Sequence, residues 1–320
     1  YFNIFYVNNF IKKMKPPLFY SRYETTMCQL FQVLAKNYNC ITLASVFSYG
    51  YFPQKYEGGH QIKFCDIFFV WGKKHSDLML HSGDQSNFHI ISGYGQDVRL
   101  VKTKYLKYKN LVCFCDNTFY DDLNLNKKEV FRILTILIDF SYKYNYKIII
   151  KTKKYKHIYK DLMKSNSSVI IEIDNNLGSI KQYHKDTIFL GYSLFTLGIL
   201  ALKQNNLALF FDKYDMIWNK ISLNLKYYIV KNENDLLIKI KNHSKLRLNK
   251  SKSLISQLID LDDVDGNDKI TDYILFYMRN FNSSKNFTID KVNKLYTEKW
   301  GKKNLFFNKN NTDFKFKSFL

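Results

Sequence analysis

At 320 residues the chain is long enough to bury two cores, and its length suggests two domains. A hydrophobic content of 46% excludes a disordered polar chain, and 49 Lys and Arg against 28 Asp and Glu leave a formal charge of +21. The five cysteines are irregularly spaced with no C-x-x-C, which excludes a disulfide scaffold and a structural zinc site and fits a reducing, cytoplasmic setting.

So basic a chain would ordinarily point to nucleic acid. Only Arg22, Arg99, Arg132, Arg247 and Arg279 carry the bidentate fork that reads bases and phosphates, however. Enrichment in Lys, Asn, Ile, Tyr and Phe, with 3 Pro and 12 Gly, is what an A+T-rich coding sequence produces, and leaves a solvated lysine surface. The second reading of the charge is an affinity for anions, either phosphate esters or an acidic membrane surface. No nucleic-acid partner is expected. The chain begins at Tyr1 rather than Met, which reads as an N-terminal domain cut short.

Residues 1–20 hold an aromatic start, a basic cluster and Pro16-Pro17, and assign to no element. From Ser21, apolar residues at helical spacing predict a helix that ends in Asn. CITLASVF (40–47), CDIFFVWG (65–72) and FHIISGYG (88–95) then read as buried strands, with a short helix over 73–83. After a Lys/Tyr-rich connector at 101–110 the pattern restarts. Strands are predicted at NLVCFCDN, YKIIIKTK, SVIIEID, DTIFLGY and NLALFFD, with helices at 126–145, 156–165, 176–185 and 193–205. The fold class expected is therefore α/β, two units of parallel sheet: residues 1–100, residues 101–282, and a polar Lys/Asn-rich tail at 283–320.

TIFLGYSLFTLGILAL (187–202) is the longest uncharged apolar run. Closed off by Lys185 and Lys203, it falls short of the ~20 residues a spanning helix needs. Its glycines divide it into strand, turn and helix instead.

In open α/β sheets, ligands bind at the carboxyl ends of strands, where helix N-termini offer free amides to anions. Gly93-Tyr94-Gly95 is a plain turn or a ligand loop. Asp116-Asn117 caps the next helix or touches substrate. Lys151 and Lys153 neutralise a diphosphate or form a solvated pair. Ser193 or Thr196 caps the helix that follows. Gly198, in its first turn, admits a ligand or relieves helix–strand packing.

FTLGILALKQNNLALFF (195–211) resembles the pattern S-T-L-G-Y-E-A-L-A-x-G-K-K-V-A-F-F of bacterial surface-carbohydrate biosynthesis proteins, which look like GT-B glycosyltransferases. Thr196, Leu197, Gly198, Ala201 and Leu202 keep that pattern. DIFFVWGKKHSDLML followed by ISGYG is similar to the W-G … G segment of their N-terminal domain. DLDDVDGNDKITDYI resembles their D-G-x-x-x-x-R-I-x-x-Y-I segment. The resemblance covers roughly residues 40 to 280. It implies two Rossmann-like domains, a nucleotide-sugar donor as substrate with no cofactor and no metal, and transfer of the sugar to a glycan or lipid-linked acceptor. Amides of Thr196, Leu197 and Gly198, and the charge of Lys151 with Lys153, would hold the diphosphate, with Ser193 among the donor-nucleotide-binding residues. Tyr49, Gly50, Gly93, Gly95, Asp116 and Asn117 would line the substrate cleft.

Three positions depart from the pattern: its glutamate falls at Leu200, its first serine at Phe195, and a Q-H-G loop of related enzymes at Ser48-Tyr49-Gly50. The catalytic base is left unassigned, with His60 and Asp66 as candidates against the plainer readings of a surface loop and a strand start. The alternative functions are a relative that transfers a polyol phosphate or processes a nucleotide sugar, and a non-catalytic nucleotide- or glycan-binding protein, on the same scaffold.

Overall fold

The computed structural model describes residues 2–21, 26–45, 64–81, 84–95, 106–116, 127–152, 159–173, 183–213, 215, 225–248, 255–256, 258–260, 265–283 and 288–307. They fall into two compact units. The first holds the described residues up to 95 together with those from 256 onward, and the second holds those between.

The first unit opens with α1 (Phe2–Met14), β1 (Leu18–Ser21), α2 (Thr26–Asn37), β2 (Ile41–Ser45), β3 (Ile67–Val70), α3 (Lys73–His81) and β4 (Phe88–Ile91). Residues 1–20, unassigned from sequence, thus supply a helix and the edge strand. Ser21 ends β1 rather than starting the helix. Strands β1 to β4 are parallel and adjacent in chain order.

The chain then builds the second unit: β5 (Leu111–Asp116), α4 (Lys127–Tyr144), β6 (Lys147–Thr152), α5 (Lys160–Ser165), β7 (Val169–Ile173), β8 (Ile188–Tyr192), α6 (Thr196–Lys203), β9 (Leu207–Phe211), β10 (Ile229–Val230), α7 (Glu233–Lys241) and α8 (His243–Leu248). Its six strands are all parallel, in the order β10-β9-β8-β5-β6-β7. β8 and β9 are buried at every residue, and β5 at all but Asp116. Continuous apolar runs of this kind belong to sheets covered on both faces. The helix expected over 176–185 lies largely outside the described residues.

The chain finally returns to the first unit with α9 (Gly266–Ser283), α10 (Ile289–Trp300) and β11 (Leu305–Phe307). Ile270, Tyr273 and Tyr277 of α9 and Val292 and Tyr296 of α10 share a core with Leu43, Ile67, Phe69 and Ile90 of the sheet. β11 pairs antiparallel with β4, Leu305 opposite Ile90, and so covers that sheet edge. The units therefore divide differently from the sequence boundaries. Residues 266–282 do not continue the second unit, and 289–307 are not a peripheral tail. Ile289, Val292 and Tyr296 give α10 an apolar stripe at helical spacing inside an otherwise polar segment. Thr288 caps it, its Oγ1 accepting from the Lys291 amide at 3.4 Å.

The run at 187–202 forms β8, a turn and α6, as its glycines suggested. Among the described residues no helix is long and apolar enough to cross a membrane.

Candidate functional site

From β5 the second unit's chain runs outward through β6 to β7, then crosses back to β8 on the other side of β5 and on to β9 and β10. The sheet order therefore reverses between β5 and β8, and a crevice opens beyond their carboxyl ends at such a point. The residues there are Asp116 on one side and Ser193 with α6 on the other, since Cys115 pairs with Gly191 in register.

Ser193 is held in the left-handed region at φ 51, rare for a residue with a Cβ. Its amide donates to Phe211 O at 2.8 Å, fixing the turn to β9. Its side chain is 5% exposed, and its hydroxyl has no hydrogen-bond partner among the described residues. A buried hydroxyl without a partner carries a desolvation cost that a bound acceptor would remove. Two residues on, α6 begins. Its first intrahelical amide bond runs from Ile199 to Phe195 at 3.2 Å, so Thr196, Leu197 and Gly198 make up the first turn, ahead of the intrahelical ladder and at the positive end of the helix dipole.

Both readings offered for Gly198 can be weighed on the packing. A Cβ there would sit 2.7 Å from Phe195 Cζ and 2.8 Å from Phe210 Cε1. A Cβ on Gly191 would meet the same Phe195 ring at 2.8 Å. The ring is thus wedged between two glycines, and the space at Gly198 serves helix–strand packing. Phe195, which stands where the family pattern has serine, is the residue that fills it.

Lys151 is 6% exposed and is not a solvated lysine; its Nζ lies 5.4 Å from the Tyr183 ring centroid. It sits on β6 opposite Cys115, one strand from the switch point. Burial, then Cys113, holds the Cys115 thiol well above its ordinary range, with Lys151 pulling the other way, so it is no nucleophile. Asp116 Oδ2 accepts from Tyr159 Oη at 2.6 Å. Burial first, and Asp116 second, push the Tyr159 phenol far up, so it stays protonated and donating. Tyr159 carried no sequence signal. On the far side, the buried Asp212 carboxylate is matched by Lys231 Nζ at 3.3 Å, which also reaches Asp212 O at 2.9 Å. Asp212 was visible only as the acidic residue closing NLALFFD.

In the first unit, Ser45, Phe69, Trp71, Ser92, Gly93, Tyr94, Gly95, Asn267 and Ile270 line an indentation at the carboxyl ends of the strands. The glycines there make room for the returning chain. Gly93 has φ 78, and the Asn267 side chain occupies the place of a Cβ on Gly95. A Cβ on Gly266 would meet Tyr94 C at 2.8 Å. Asp260 N donates to Trp71 O at 2.6 Å, and the Asp260 carboxylate pairs with the fully buried Lys269 ammonium. The D-G segment is therefore the joint that docks α9 on this sheet.

Asp66 is displaced from any catalytic role by its position. It precedes β3, at the amino edge of the sheet, opposite the edge where ligands bind. Its carboxylate accepts from Thr42 N and Oγ1, both at 2.8 Å, from Asn87 Nδ2 at 3.0 Å, and pairs with Lys36 at 3.2 Å. It stitches three strand starts together. Ser76, His89 and Asp84 form a chain of contacts at 2.8 and 2.6 Å that imitates a hydrolase triad. All three are wholly buried, so no substrate reaches them and the chain is structural. Tyr49, Gly50, His60, Asn117 and Lys153 lie outside the described residues.

No family model matches the sequence, and no curated protein matches it. Among solved structures, the chain resembles the S. aureus MnaA–UDP co-structure, at 11% identity and TM-score 0.55, over 86% of this chain and 78% of that one. It resembles a putative UDP-N-acetylglucosamine 2-epimerase from Listeria monocytogenes at 9% identity and TM-score 0.56, over 86% and 77% of the two chains. It also resembles UDP-GlcNAc 2-epimerase from Neisseria meningitidis, bound to UDP-GlcNAc, at 10% identity and TM-score 0.55, over 85% and 80%. At such identities the likeness is one of fold: the chain has the α/β, GT-B-like architecture of two Rossmann-like units that the sequence patterns implied.

Proposed function

We propose that the chain is a metal-independent glycosyltransferase of surface-polysaccharide assembly. In this reading it moves a sugar from a nucleotide-sugar donor to a glycan or lipid-linked acceptor at the cytoplasmic face of the membrane. One observation carries the donor site. At the switch point of the second sheet, a buried Ser193 hydroxyl with no partner among the described residues accompanies the N-terminal amides of an eight-residue helix. That combination suits a diphosphate: the Ser193 Oγ–H and the amides of Thr196, Leu197 and Gly198 donate to its oxygens as charge builds on departure. Lys151 adds positive potential from within the sheet. Asp116, oriented by Tyr159, faces the remaining part of the donor. The indentation at Gly93 and Gly95 is the acceptor-side surface of the first unit.

A second reading keeps the donor and changes the chemistry to processing of the nucleotide sugar itself. Asp116 favours it, because a carboxylate at a switch point is placed for proton transfer.

Calorimetry with UDP, GDP, CDP and CMP tests both readings. At least one nucleoside diphosphate is expected to bind with a micromolar constant, weakened about tenfold by Ser193→Ala. Binding by none of them would sink the proposal. Nucleoside diphosphate released only when a glycan acceptor is added marks the transferase. A changed sugar without acceptor marks the second reading, and binding without turnover marks a non-catalytic binder.

A further inference from the structure

The helices α4 and α6 lie on opposite faces of the second sheet. The step from β5 to β6 runs one way and that from β8 to β9 the other, so right-handed crossovers put the two helices on different sides. Residues alternate between those sides along each strand. Cys115 is paired in register with both Lys151 and Gly191, so these three share one side, where Phe195, just ahead of α6, meets Gly191. Asp116 is one residue further on, opposite Thr152, and belongs to the α4 side.

The groups on that side are of another kind. Tyr159, fully buried at the head of α5, stacks on Phe131 of α4 with ring centroids 6.1 Å apart. Its hydroxyl donates to Asp116 Oδ2 at 2.6 Å. A carboxylate offers about four lone-pair sites, and Tyr159 fills one of them. Held by this bond, the half-buried Asp116 ends β5 at the lip of the crevice. Lys213 reaches the α4 side as well, where its ammonium pairs with Glu129 at 2.6 Å. At the α6 side, by contrast, Lys151, the Ser193 hydroxyl and the first amides of the helix all donate or carry positive charge. The crevice therefore donates on one side and accepts on the other.

We infer, on the donor site proposed above, that Asp116 selects the donor's sugar, accepting from a hydroxyl of a neutral hexose and repelling a uronate, with Tyr159 as its positioning residue. A diphosphate only accepts, so it is drawn to the α6 side, and the sugar it carries brings hydroxyl donors to Asp116. An acidic sugar would bring a second carboxylate there instead. At a separation of about 6 Å and an effective dielectric near 20, that repulsion weakens binding by roughly tenfold or more.

Calorimetry with UDP-glucose against UDP-glucuronate, and with GDP-mannose against GDP-mannuronate, reads this selection in the unaltered chain. In the pair whose nucleotide binds, the neutral sugar should bind roughly tenfold or more tighter than the uronate. Asp116→Asn should bring the two within about threefold, and Tyr159→Phe should narrow the gap part of the way. If Asp116 and Tyr159 served packing alone, both substitutions would weaken the two donors equally and leave their ratio standing, which would overturn the inference. Equal binding of both donors to the unaltered chain would overturn it too, as would binding of UDP or GDP without either of its sugar nucleotides. If neither UDP nor GDP binds, the selection of a hexose falls; only if CDP and CMP also fail to bind does the donor reading fall with it.

Discussion

Ser193 combines two costs at one position, a left-handed backbone and a buried hydroxyl with no partner among the described residues. Backbone outliers of this kind gather at functional sites. Replacing Ser193 with Gly separates the two costs: Ser193→Gly relieves the backbone and should raise stability by about 1 kcal/mol in denaturant titration, while nucleoside diphosphate affinity falls. If stability and affinity fell together, Ser193 would be a structural residue. Gly198 behaves in the opposite way. The Phe195 ring it touches is trapped against Gly191 and cannot swing aside, so Gly198→Ala should destabilise by roughly 1–3 kcal/mol. A substitution at Gly198 therefore cannot report on ligand contact alone. In the sequence, the G-Y-S step between strand and helix marked Ser193 as a cap or contact. The wedge of Phe195 between two glycines depends on how β8, α6 and β9 come together, and no local pattern encodes that.

Three of the helices end by a shared device. Asn39, Asn145 and Asn205 follow α2, α4 and α6 in the left-handed region, at φ 59, 54 and 63. In each case the next amide reaches five residues back: Cys40 to Ala35 O at 3.1 Å, Tyr146 to Ser141 O at 3.1 Å, and Asn206 to Ala201 O at 2.9 Å. This is the Schellman closure with Asn in the place usual for Gly. A chain with 12 glycines thus stops these three helices with the residue its composition supplies. Asn145→Ala should cost about 1 kcal/mol, seen as a lower midpoint in urea, and Asn145→Gly should not. The strands of both sheets were legible because continuous apolar runs survive any coding bias. The elements from 289 to 307 were not, since Lys and Asn crowd around the few apolar positions of α10. β11, three residues long, exists because β4 offers it an edge.

Across the molecule, buried phenols set the alkaline limit. Burial pushes Tyr228 up to about 12, and burial, with Cys40 and Asp66 adding to it, pushes Tyr277 up to about 12. Tyr273 and Tyr296, in the core of the first unit, are raised further, also by burial first. Each remains neutral in the folded chain, whereas the unfolded chain ionises its tyrosines near the ordinary value of 10. The stability they contribute is therefore whole below about pH 10 and is lost as the pH climbs to about 12. Tyrosinate absorbance followed with circular dichroism should show these phenols ionising together with unfolding. Their ionisation at pH 10 in a chain that stays folded would contradict their burial.

The route of the chain has a consequence for synthesis. Every strand of the second sheet has been made by residue 230, so that unit can close while the ribosome is still at work. The first unit begins earlier and finishes later, because Tyr273, Val292, Tyr296 and the strand at 305–307 arrive last. Until then Leu43, Ile67, Phe69 and Ile90 have no covering layer. A nascent chain halted near residue 256 should yield a protease-resistant second unit behind a digestible first one, and the half that is written first is the half most in need of a chaperone.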